Sequence, residues 1–368
     1  MALPWAFVLL SALFFLSSCV SNLFSSSSSN GSGGRCSLCP QSPEVSFCPQ
    51  SPEVSLSPQS PEVPSIFSMR YKTAYHFQPS RNWINDTIVD DCRLWLKIDY
   101  GNFYASRSFV DSKKGRRIIW GWSKEADRHS DDVAKGWAGI HTIPRTIWLD
   151  SDGKQLLQWP VDEIESLRTN EINHQGLELN KGDLFEINGV DTFQADVEIN
   201  FELTSIDDAD PFDPSWLLDP DKHCCEAGAS VHGGIGPFGL VILASNNMDE
   251  HTAVHFRVYK SQQKYMILMC SDLRRSSMRS GLCTPAYGGF FEFDLEKERK
   301  ISLRTLIDRS AVESYGGGGR ACITARVYPV FLAVDGKAHM YAFNNGSTTV
   351  RVPQLKAWTM RKAKVNVE

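Results

Sequence analysis

Apolar positions along this chain fall into short runs rather than helical stripes, and the character of the runs changes twice along its length. From Leu3 to Leu16 the chain is apolar and uncharged, Ser17, Ser18 and Ser21 follow, and the first charged residue is Arg35. An apolar run followed by small residues is a secretory signal pattern, and this run is shorter than the roughly 20 residues a membrane-spanning helix needs. We therefore expect a signal peptide over residues 1–21, a secreted chain, and no membrane contact after cleavage. Residues 22–69 hold almost nothing that builds a core. A Ser/Gly-rich stretch is followed by Pro-Gln-Ser-Pro-Glu-Val starting at Pro40, Pro49 and Pro58. This nine-residue repeat predicts a disordered, partly polyproline II linker, with cell-wall contact as its alternative use.

Structured patterning begins near Met69. Asn102 to Val110 and Arg116 to Trp122 predict two strands around the turn Asp111 to Gly115. Thr142 to Leu149 and Lys154 to Pro160 predict a second pair around Asp150 to Gly153. After a polar join near Arg168 to Gln175, short runs recur: Phe193 to Leu203, Gly239 to Ala244, Ala253 to Tyr259, Tyr265 to Cys270, Phe290 to Leu295, Ile301 to Ile307, Ala321 to Val327, His339 to Phe343 and Thr348 to Val352. From Ala195 to Glu202 apolar residues occupy alternate positions, as a strand with one buried face requires. About nine such strands over residues 168–368 predict a β-sandwich. Gly316 to Gly319 reads as a hairpin turn, since no Lys-Ser/Thr follows to complete a phosphate loop.

Composition adds limits. The 368 residues, 42% hydrophobic and 22% charged, suffice for two globular domains. A net charge of -5 with scattered Lys and Arg leaves no footprint for nucleic acid. Ten cysteines suit an oxidising compartment without making a dense disulfide scaffold. Cys36-x-x-Cys39 has the spacing of half a zinc site, but no second pair follows, so we expect no metal and no cofactor.

The segment with the most chemistry is Tyr75-His76-Phe77-Gln78-Pro79 followed by Trp83-Ile84-Asn85-Asp86. A carboxylate framed by aromatics suits sugar chemistry: an apolar face stacks on the ring, Asp attacks the anomeric carbon and Asn holds a hydroxyl. Taken alone, Asn-Asp after Trp is also a turn signal. With its neighbours the segment resembles the nucleophile motif of plant acid invertases, the β-fructofuranosidases of glycoside hydrolase family 32. The resemblance continues through Asp99–Ser106, Arg117–Trp122, Gly136–Arg145, Gln158–Pro160, Glu226–Ser230, Thr284–Phe293 and Asp308–Glu313, and so covers the chain from about Tyr71 onward. It implies an all-β protein in which a five-bladed β-propeller carries the active site and a β-sandwich packs against it. It also implies Asp86 as nucleophile, with Trp83 and Asn85 contacting the fructosyl unit. Tyr104 and Trp122 carry over as pocket wall, with core packing the favoured alternative.

This chain departs from that pattern. Asp86 is followed by Thr87-Ile88-Val89-Asp90 where the family continues Pro-Asn-Gly, and sequence from Leu94 on already resembles the last part of the propeller. No Arg-Asp-Pro and no Trp-Glu-Cys-Pro occurs, so the motifs of the transition-state stabiliser and the acid/base Glu are absent. Five blades at about 40 residues each need roughly 200 residues, and Tyr71 to Leu167 supplies fewer than 100. The expected architecture is a truncated propeller remnant over residues 70–167 and an intact C-terminal β-sandwich over 168–368.

Other acids near the motif, Asp90, Asp91, Asp99 and Glu125, read as surface charge. Thr87 creates a glycosylation sequon at Asn85, and Asn30 and Asn345 begin two more; Asn345 lies at an expected turn. The resemblance further implies a sandwich disulfide between Cys225, or its neighbour Cys224, and Cys270. The functional expectation is a β-fructofuranosidase by ancestry, cleaving terminal β-fructofuranosides such as sucrose by a retaining double displacement in the apoplast or cell wall, but inactive as this chain. The alternatives are a non-catalytic protein binding sugar or cell-wall polysaccharide, or the product of an incomplete gene model.

Overall fold

A computed structural model describes residues 73–76, the backbone of 82–83, and residues 96–151, 153, 155–262, 264–295, 297–330 and 337–364. All lie within the compact unit Cys36–Glu368. The signal, the linker, Asn30, Asn85 and Asp86 fall outside the described residues.

A two-residue strand, β1 (Asn82–Trp83), precedes one blade-like sheet. The sheet is built from β2 (Tyr104–Asp111), β3 (Arg116–Ser123), β5 (Ile140–His141), β6 (Arg145–Leu149) and β7 (Leu156–Pro160), in the order β2-β3-β6-β7 with β5 beside β3. Both expected hairpins are present with their turns. Between β3 and β5 lie helix α1 (His129–Lys135) and β4 (Trp137–Ala138), which pairs with β1 in parallel. Asp131 accepts from the Arg128 N–H at the start of α1, and Gly136 at φ 75° closes its end, where a left-handed residue is needed.

The sandwich follows. One sheet orders β18 (Ala321–Arg326), β17 (Ala311–Gly316), β16 (Lys300–Asp308), β10 (Gln194–Leu203), β20 (Val350–Met360) and β8 (Arg168–Leu179). The other orders β15 (Ala286–Phe293), β14 (Lys264–Asp272), β13 (Thr252–Ser261), β12 (Ile235–Ala244), β19 (His339–Asn344) and β9 (Asp183–Glu186), with β11 (Asp210–Pro211) beside β13. Alternation decides the core: Ala195, Val197, Ile199, Phe201 and Leu203 point inward and meet Phe238, Phe256 and Met269 from the facing sheet. Helix α2 (Pro220–Glu226), capped by the Asp219 side chain on the Lys222 N–H, covers the far side of the second sheet.

The stretch expected as a polar join, Arg168 to Gln175, is instead the start of the 12-residue strand β8. It pairs on one side only, with β20. As an edge strand it keeps polar side chains in water, so its alternation of Ile172, Leu177 and Leu179 with polar residues is diluted.

Candidate functional site

The outward face of the β16-β17-β18 sheet carries Arg304, Leu306, Asp308, Glu313, Tyr315, Cys322, Thr324 and Arg326, and the blade buries it. Charges there survive burial by pairing across the contact. Arg145, from β6 of the blade, reaches Asp99 at 2.8 Å and Glu313 at 2.8 Å, with the Thr324 hydroxyl at 2.7 Å. His76, just ahead of the nucleophile motif, lies between Asp308 on Nδ1 and Glu313 on Nε2, each at 2.9 Å. Asp308 also accepts the backbone N–H groups of Ala74, Tyr75 and His76. Burial alone would lower the His76 pKa, but the two carboxylates outweigh it and raise it to about 9. Burial would raise Glu313, yet Arg145 and His76 hold it at about 2. The sandwich thus grips, through ion pairs, the segment that leads into Trp83-Ile84-Asn85-Asp86.

Only the backbone of Trp83 is described at the motif itself, and it lies in register with Ala138. The next residue, Gly139, adopts φ 78°, donates its N–H to Glu125 at 2.9 Å, and has the Trp122 indole 2.3 Å from where a Cβ would stand. A side chain there would displace Trp122, so glycine is required. A β-bulge with Ala105 at φ 44° sets Tyr104 opposite Trp122, ring centroids 4.9 Å apart, both half-buried. The Trp122 indole nitrogen finds no acceptor among the described residues. The fold therefore gathers the Trp83 strand, Trp122 and Tyr104 at one place, with Glu125 beside them.

Asp99 and Glu125 correct the surface-charge reading. The Asp99 side chain is fully buried, and Glu125 is 4% exposed. Glu125 meets Arg326 at 2.7 Å and Lys135 at 3.0 Å. Burial raises its pKa, but Arg326 and Lys135 overcome that and hold it at about 2. Asp99 is raised because burial exceeds the pull of Arg145. Both were misread because a lone acid in sequence shows no partner; each finds its cations only through the fold. Glu125, Asp127 and Asp132 bring ligand atoms within 4.8 Å of one another, a spacing that suits a metal ion. The Lys135 ammonium already sits among them at 3.0, 2.7 and 3.1 Å and supplies the counter-charge.

The disulfide needs a second correction. Cys270 bonds Cys224, not Cys225. Neighbouring positions on a helix point about 100° apart, and Cys224 is the one whose sulfur reaches Cys270 on β14, while Cys225 is engaged in a separate disulfide, as is Cys283. Asn345 does sit at a turn, half-buried, with its side-chain amide donating to the Ala229 carbonyl at 3.1 Å.

Comparison with known proteins decides the family. The model for the C-terminal part of glycosyl hydrolases family 32 matches residues 163–359, and that for the N-terminal domain matches 43–160. The chain belongs to glycosyl hydrolase family 32. It is 80% identical over 286 residues to a fructan 1-exohydrolase of Bromus pictus and 82% identical to fructan 1-exohydrolase w3 of Triticum aestivum. Each match covers 78% of this chain and 48% of the relative, so the chain spans about half the length of the curated relatives it matches. Among solved structures, fructan 1-exohydrolase IIa from Cichorium intybus superposes with a TM-score of 0.70 at 47% identity, over 73% of this chain and 50% of that one; a complex of its variant with 1-kestose is also known. A fructosyltransferase from A. japonicus, at 15% identity and TM-score 0.54, shares the fold. The likeness expected from the Trp83 motif holds for family 32 as a whole, and these plant relatives are named for fructan rather than sucrose.

Proposed function

We propose that this chain is a β-fructoside-recognising member of family 32 that does not hydrolyse its ligand by itself. A retaining glycosidase needs one carboxylate to attack and a second carboxyl, about 5–5.5 Å away, to protonate the leaving oxygen. Asp86 suits the first task by its motif. The observation that carries the proposal concerns the second. Two of the carboxylates described around the Trp83 and His76 segments, Glu125 and Glu313, are locked to arginines and held at about 2, so neither carries a proton to donate near pH 5. Asp127, which burial raises to about 6, is held by the Lys135 ammonium at 2.7 Å, and Asp308 is tied to His76 and three backbone N–H groups. Asp99 is tied to Arg145 and Thr324. The acid/base motif that would supply a partner is missing from the sequence.

The ligand class is a terminal β-fructofuranoside, and the named relatives favour fructan oligosaccharides such as 1-kestose over sucrose. The half-buried Tyr104 and Trp122 rings beside the Trp83 strand support a fructosyl contact there. Export to the apoplast and glycosylation at Asn345, Asn30 or Asn85 belong to the same reading, on the strength of the leader and the sequons. Titration calorimetry of the full chain with 1-kestose and with sucrose tests it: heat on mixing that Trp122→Ala removes is expected, and no heat with either sugar would sink recognition.

A further inference from the structure

One face of the blade carries solvent-exposed aromatic rings. Cross-strand pairing sets Arg107 opposite Trp120 and Phe109 opposite Ile118, which in turn faces Thr146, two residues from Trp148. Paired residues and second neighbours share a face, so Arg107, Phe109, Trp120 and Trp148 look out the same way. Phe109 is 50%, Trp120 38% and Trp148 41% exposed. The hairpin that holds two of these rings also concentrates charge that looked scattered along the sequence: Arg107, Lys113, Lys114, Arg116 and Arg117 against Asp111, on a chain of net charge -5. Glu163 and Asp111 take up Lys114 and Arg116, while Arg107, Lys113 and Arg117 have no ion pair among the described residues.

We propose that this face binds an acidic polysaccharide, a polymer of uronate rings. Sugar rings lay their C–H faces on exposed tryptophan, and uronate carboxylates meet the unpaired Arg107 and Lys113 in charge-assisted hydrogen bonds. Two magnitudes choose this occupant. At about 150–250 Å² per aromatic side chain, the exposed parts of the three rings sum to roughly 300 Å², well short of the roughly 800 Å² per partner of a stable protein interface. A second copy docked by a two-fold axis would also set like-charged hairpins against each other. The inference deepens the sugar-recognising, non-hydrolytic reading above and rests on it.

The test titrates polygalacturonate into the full chain at low salt, with dextran as the neutral sugar polymer, polyglutamate as an acid without rings, and sedimentation for the oligomeric state. Polygalacturonate is expected to bind, to weaken at least tenfold in Trp148→Ala and in Arg107→Ser, and to weaken as salt rises. Dextran and polyglutamate are expected to bind at least tenfold less well. Trp148 and Arg107 face water, and an unchanged unfolding midpoint in each variant separates lost binding from lost folding; Phe109→Ser is the replacement should either shift. Equal binding of polyglutamate unaffected by Trp148→Ala would reduce the face to charge alone and overturn the proposal. So would absence of polygalacturonate binding, whether the chain sediments as a monomer or as a dimer. Because polygalacturonate contains no fructose, its failure alongside retained 1-kestose heat overturns this proposal and leaves the fructoside reading standing.

Discussion

Replacing Arg145 by Met asks how strongly the sandwich holds the blade. The guanidinium is 1% exposed between carboxylates that are 0% and 1% exposed, each at 2.8 Å. Methionine fills much of the volume, so the main cost is electrostatic: Asp99 and Glu313 stay buried and lose their shared cation. Breaking a buried pair in this way costs about 3–5 kcal/mol. Removing a matched surface pair does far less. Arg351 and Glu178 are 57% and 55% exposed, and Arg351→Met is expected to cost under about 1 kcal/mol. Equilibrium urea unfolding measures both. The double variant Arg145→Met/Asp99→Asn should recover about 1–2 kcal/mol, because it removes the anion whose paired cation was Arg145, while Glu313 keeps His76 at 2.9 Å. If Arg145→Met costs no more than Arg351→Met, or the double variant is worse than the single by the full cost of each, the ion pairs do not hold the two parts together.

The same contact predicts a pH response. His76 is raised in the fold from 6.5 to about 9. Its stabilisation is complete below 6.5 and disappears as pH climbs through about 9, a change of about 3 kcal/mol for a shift of this size; unfolding midpoints from pH 6 to 10 should show that fall, and His76→Gln should flatten it. Glu313 is depressed to about 2, so its share is present above pH 4.5 and is lost as pH falls through about 2, which acid titration of the wild type against Glu313→Gln measures. Cys224 and Cys270 close a loop over a separation of 46 residues, for which chain entropy gives about 4 kcal/mol. Cys224→Ser should lower stability by an amount of that order, and non-reducing peptide mapping should recover Cys224 linked to Cys270, whereas a Cys225–Cys270 peptide would contradict the structure.

Much of the sandwich was legible in the sequence because one-sided burial leaves a period-two signature, clearest from Ala195 to Leu203. Strand β8 was not, because an unpaired edge lets polar residues into the pattern. The charged face of β16 to β18 escaped notice for a different reason: Asp308, Glu313 and Arg326 look like the wet side of a strand, and only the blade's Arg145, His76 and Glu125 turn that side into a buried contact. Asp99 was misread in the same way. Cys224 and Cys225 are adjacent, so sequence offered both, and the direction of α2 chose between them. At the candidate site, sequence named Trp83, Tyr104 and Trp122 and the fold brings them together, but Gly139, which sets the Trp122 ring, gives no sequence signal beyond being a glycine.

Whether this chain hydrolyses β-fructosides is measured by incubating the full chain with 1-kestose near pH 5 and following free fructose beside Asp86→Ala. The two are expected to release fructose at the same rate as buffer, since the acid/base motif is absent from the sequence and Glu125 and Glu313 are held ionised by their cations. Release by the wild type that Asp86→Ala abolishes would contradict it.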